Sequence, residues 1–101
     1  MTIYEECVAE ADRIRFDERN AQYTAREATK ALFRRVVSRV RELRHELALT
    51  AAETAGRLHC TVEYYMDTED GASENLEFAM RALKLLDAEA RRRAKEKENE
   101  S

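Results

Sequence analysis

The stretch ALFRRVVSRVRELRHEL, Ala31–Leu47, decides how this chain folds. On a helical projection, residues advance by roughly 100° each. With Val40 at zero, Thr29, Leu32, Phe33, Val36, Val37, Val40, Leu43 and Leu47 share an arc roughly 140° wide. That pattern predicts an amphipathic helix whose apolar stripe faces a core. Lys30, Arg34 and Arg41 form a ridge along one flank, with Arg26 and Arg44 at its border. Arg35 and Arg39 take the other flank. Between Ala25 and Leu49, seven Arg or Lys stand against three Glu, a segment charge of +4 in a chain whose net charge is −3. The same helix is therefore the apolar spine and the most cationic element.

Composition extends this reading to the whole chain. The 101 residues suffice for one domain. Pro is absent and Gly occurs twice, which favours uninterrupted helices. Charges of both signs alternate with apolar positions at helical spacing, which a disordered chain lacks. An all-α fold is expected: a small antiparallel bundle of three to four helices around one long central helix, over residues 1–95. Residues 96–101 are expected to form a frayed or disordered charged tail.

Working outward, Thr2 and Glu5 have capping-box spacing and open a first helix running to about Arg19. Its stripe is Ile3, Tyr4, Cys7, Val8, Ala11 and Ile14. Thr24 with Glu27 repeats that spacing before the long helix, and Thr50 with Glu53 repeats it again. The third pair suggests a break near Leu49. No Gly or Pro enforces it, so a continuous helix from Ala25 to about Met66 remains an alternative. Gly56 marks a close contact or a bend. Asp67–Ser73 is a loop, with Ser73 the expected N-cap of a last helix from Glu74 to about Lys95. The stripe of that helix is Leu76, Ala79, Met80, Leu83, Leu86 and Ala90.

No reactive constellation emerges. Nothing Gly-rich could cradle a phosphate. His59 and Cys60 are neighbours, and neighbours on a helix point about 100° apart, so Cys60 reads as a small packed residue. No catalytic residue, enzyme activity or cofactor is expected. Glu42 and His45 have the Glu-x-x-His spacing of helical metal sites. They project away from the apolar stripe, so they are weak candidates and no metal site is assigned. His59 and Glu63 are a weaker pair still. The opening MTIYEEC has no basic or apolar leader region, and no apolar run approaches the ~20 residues that cross a bilayer. A cytoplasmic protein with reduced Cys7 and Cys60 and no membrane association is expected.

Surfaces remain as the source of function. Arg26, Lys30, Arg34, Arg41 and Arg44 could track phosphates, making nucleic-acid binding the alternative function. The plainer expectation is that they pair with acids of neighbouring helices. Glu63, Asp67, Glu69, Asp70, Glu74 and Glu77 form an acidic patch around the loop, suited to a basic partner or simply to solvent. Phe78, Ala82 and Leu85 lie off the core stripe of the last helix, as do Phe16, Leu49 and Tyr64 in theirs. A second apolar face in a thin domain predicts contact with another protein or another copy. The expected function is a non-enzymatic protein–protein interaction module, a homodimer acting as a small inhibitor or adaptor of the kind phages and mobile elements encode.

Overall fold

The computed structural model describes the backbone of residues 2–17 and 22–100, with side chains over residues 2–14 and 26–98. Five helices follow one another among the described residues: α1 (Ile3–Asp17), α2 (Gln22–Glu46), α3 (Ala51–Arg57), α4 (Val62–Glu69) and α5 (Leu76–Glu100). The fold is all-α, and none of these helices is long and apolar enough to cross a membrane.

The stripe of α2 is the floor of the core. Leu32, Phe33, Val36, Val37, Val40, Leu43 and Leu47 are all buried. Each large apolar side chain removed from water contributes about 1.5–3 kcal/mol before the entropy of ordering is subtracted. α5 lies against α2 along much of its length, α1 covers a further side of α2, and α4 packs on it as well. α1 enters through a Thr2 hydroxyl that accepts from the Glu5 N–H at 3.1 Å, and it buries Cys7 completely. Arg35 of α2 ties it down, 2.6 Å from Glu10 and 3.7 Å from Glu6.

The long helix starts before Thr24, which lies inside α2; its side chain is outside the described residues. The helix stops at Glu46. The alternative of one helix to Met66 is overturned by two breaks, not one. The first is a Schellman turn in which Ala48 takes φ 54°, its N–H donates to His45 O, and the Leu49 N–H donates to Arg44 O, both at 3.0 Å. The Thr50–Glu53 capping box then starts α3. The second break repeats the device: His59 takes φ 57°, its N–H reaches Gly56 O at 3.2 Å, and the Cys60 N–H reaches Ala55 O at 3.1 Å. Thr61 caps α4 by accepting from the Tyr64 N–H. A third such turn, with Gly71 at φ 79°, closes α4. Ala and His in the left-handed region cost ~1–2 kcal/mol each, a conformation that burial of Leu49 and Leu58 offsets. Gly56 is exposed and a Cβ there would meet nothing, so it marks neither a close contact nor the bend itself.

The last helix is capped by Asn75, not Ser73: its Oδ1 accepts from the Phe78 N–H at 3.1 Å. α5 then runs to Glu100, so residues 96–100 of the charged tail expected to fray are helical, and Ser101 lies outside the described residues. At ~1.5 Å per residue, a 25-residue helix is about 37 Å long. Arg93 donates to Leu47 O at 2.7 Å, tying α5 to the end of α2 where carbonyls lack helical partners. Residues 94–98 are exposed beyond that point.

Candidate interaction surface

The second apolar face expected on the last helix is inside the molecule. Phe78 is 8% exposed and Ala82 is 0% exposed in the single chain, so neither presents an open patch. Leu49, also expected off-face, is buried at the turn after α2. The reason is that α5 has neighbours on more than one side. α2 covers one side, and Tyr64 of α4 meets Phe78 edge-on, ring centres 4.8 Å apart at 84°. Tyr64 stays 40% exposed, with its hydroxyl accepting from Asn75. Rotating the buried sector toward Phe78 leaves Leu76 and Met80 only half-buried. Leu85 is half-buried against the core edge. The side chain of Phe16 lies outside the described residues.

The basic ridge divides. Arg44 turns inward and grips Glu69 with two hydrogen bonds, Nε to Oε2 at 2.9 Å and Nη2 to Oε1 at 3.0 Å. Its Nη1 donates to Leu49 O at 3.1 Å. Arg41 donates to the Glu69 carbonyl. Glu69, expected on the surface acidic patch, is therefore a core residue, 3% exposed and neutralised by α2. Glu63, Asp67, Asp70, Glu74 and Glu77 remain exposed. The Tyr65 hydroxyl is buried beside this pair without a hydrogen bond of its own among the described residues. Burial first, and then the Glu69 carboxylate, push its ionisation above the ordinary phenol value. Arg26, Lys30 and Arg34 are exposed, and no ion pair engages them among the described residues.

Neither cysteine is prepared as a nucleophile. Cys7 is buried and Cys60 half-buried, and burial raises both thiols above their ordinary value. Glu42 and His45 are both exposed, and Glu42 is engaged by Arg39 at 3.2 Å. Among the described residues, no three His, Cys, Asp or Glu side chains gather as a metal site would require.

The surface that does gather functional groups is the outer side of α5. Arg81, Lys84, Leu85, Ala88 and Arg92 recur at three- and four-residue steps and so share a face. The turn at His59 folds the end of α3 against them, adding Arg57 and His59. Together with Glu89 they line an open groove of about 620 Å³ whose apolar lining is Leu85 and Ala88. Arg81 is held by donating to Leu58 O at 3.1 Å, a carbonyl left free where α3 ends. Glu89 is surrounded by guanidinium groups: Arg92 at 2.5 Å, Arg93 at 3.1 Å and Arg57 at 3.3 Å. The Arg92 hydrogen bond, above all, holds the Glu89 carboxyl down at about 2. The groove lining thus carries four cations against one carboxylate; Arg57 and Arg92 are spent on Glu89, and Arg92 also on Glu96 at 2.6 Å, which leaves Arg81 and Lys84 as the surplus charge.

A smaller groove of about 360 Å³ lies on the α1 side of α5, lined by Tyr4, Val8, Ala11, Leu76 and Met80, with Asp12, Glu77, Arg81 and Lys84. Lys84 Nζ sits 5.8 Å from the Tyr4 ring centre. Arg81 and Lys84 line both grooves. Sequence reasoning missed this surface. The i, i+4, i+7 and i+11 spacing of Arg81, Leu85, Ala88 and Arg92 was there to read, but the arrival of Arg57 and His59 depends on a left-handed turn that no Gly announces. No family model, curated protein or solved structure matches the chain.

Proposed function

We propose that the protein is a non-enzymatic protein–protein interaction module, a small inhibitor or adaptor that occupies a partner's surface through the outer face of α5. On this reading the helices form a small antiparallel bundle around α2 that serves as a rigid platform. The observation that carries it is the open groove in which Leu85 and Ala88 stand beside Arg57, Arg81, Lys84 and Arg92. Binding sites combine apolar surface with a few convergent polar groups. The homodimer version loses its first support, since Phe78 and Ala82 are inside; a second copy is now one candidate occupant of the α5 face.

The test is a photo-crosslinking side chain placed at exposed Ala88, with exposed Ser38 of α2 as the control position. Products formed from position 88 and not from 38 are expected. A product of twice the chain mass would establish the homodimer version. Equal capture at both positions, or none at 88, would dispose of the reading.

A second reading is favoured by one observation: Arg26, Lys30 and Arg34 are exposed without ion-pair partners among the described residues. Exposed cations at four-residue steps suit a phosphate backbone. Lys30→Glu with Arg34→Glu should then abolish a salt-sensitive shift of DNA or RNA. No shift for the wild type at low salt ends this alternative.

A further inference from the structure

We propose that the α5 face takes an acidic amphipathic segment of a partner, whose apolar side chains enter the two grooves while its carboxylates lie over Arg81 and Lys84 between them. This rests on the reading of α5 as the docking face and adds the chemistry of the occupant. Three features argue for it. The larger groove is lined on its apolar part by Leu85 and Ala88, and the smaller one by Val8, Leu76 and Met80. Two apolar recesses side by side ask for two apolar anchors on one segment. The ridge separating them is cationic, because Arg81 and Lys84 line both.

Charge decides the sign of the occupant. Within the larger groove the carboxylate of Glu89 is already saturated by Arg57, Arg92 and Arg93. Among the described residues Lys84 forms no ion pair and sits over the Tyr4 ring, and Arg81 spends one Nη on Leu58 O, while Asp12 and Glu77 also line the smaller groove. Arg81 and Lys84 are both exposed, and desolvating their remaining donors under a neutral or basic segment would cost free energy with nothing returned. Carboxylates supply the return. From Met80 to Arg92 the face is about 18 Å long at ~1.5 Å per residue, which matches a helical segment of three or so turns.

Labelled synthetic peptides of about 14 residues provide the test, read by fluorescence anisotropy on the full chain. One carries leucine and glutamate at amphipathic spacing, one replaces every glutamate by lysine, and one is polyglutamate. The leucine–glutamate peptide should bind, and Lys84→Glu and Arg81→Gln should each weaken it by about tenfold or more. Arg34→Glu should leave it unchanged. Circular dichroism confirms that each variant is folded, and both changes are at exposed positions. Equal binding of the lysine peptide, equal binding of polyglutamate, or an equal loss from Arg34→Glu overturns the proposal. If none of the peptides binds while position 88 still crosslinks a partner, the acidic occupant falls and the docking face stands. If neither occurs, both fall.

Discussion

Replacing Arg44 by Met should unfasten α2 from α4. Arg44 holds Glu69 through two hydrogen bonds of 2.9 and 3.0 Å, and the side-chain exposures are 14% and 3%. After Arg44→Met the carboxylate keeps, as its ion-pair partner among the described residues, the Arg41 Nε at 3.8 Å and stays under protein. Removing one partner of a buried ion pair costs about 3–5 kcal/mol, because the survivor is charged and unsolvated. The lost bond to Leu49 O adds about 1 kcal/mol. Domains of this size are stable by about 5–15 kcal/mol, so the change consumes about a quarter of that or more. Urea unfolding followed by circular dichroism should show a lower midpoint at constant slope, and the melting temperature should fall by about 15 °C or more. The pair itself is not the source of net stability, since two charges were desolvated to make it. Arg44→Met combined with Glu69→Leu should therefore recover most of the loss. A cost under about 1 kcal/mol for the single change, or a double variant no better than the single, would mean that Glu69 reaches water and that the buried-pair argument is wrong.

Three further outcomes are expected. Ala48→Gly and His59→Gly relieve φ values of 54° and 57° and should each raise stability by about 0.5–1 kcal/mol; a lowered urea midpoint in either would show that the side chain does more than its backbone costs. Tyr65 is neutral in the fold with its ionisation raised, so its contribution is whole below about pH 10 and is lost as pH climbs from there through the folded value. The alkaline limb of stability should flatten in Tyr65→Phe, and phenolate absorbance should show one of the four tyrosines titrating late; simultaneous titration of all four would contradict its burial. Phe78→Asp should unfold the chain rather than change its mass, because the ring is inside against Tyr64. A folded variant seen by sedimentation at altered mass would return Phe78 to an interface.

The core of α2 was legible because one element's burial depends only on its own periodicity. Every large apolar residue of the Leu32–Leu47 stripe is inside. Local capping was legible in part: Thr2 and Thr50 cap as their spacing predicts, while Asn75 displaces Ser73. The break at His59 was not legible, since a left-handed turn without Gly leaves no mark in composition. The outer surface was least legible. A projection places Phe78 and Leu85 on one side of α5, yet packing buries one and leaves the other at the rim of a groove.

What the residues alone determined is therefore the all-helical class and the inward face of α2, because helical periodicity and propensity act between near neighbours in the chain. Which way α5 turns its second apolar side, where Arg44 goes, and that Glu69 leaves the acidic patch for the core were decided only by the tertiary structure. Those outcomes depend on which helices meet. A charge is buried or solvated according to what lies across from it, and that partner stands 25 positions away along the chain.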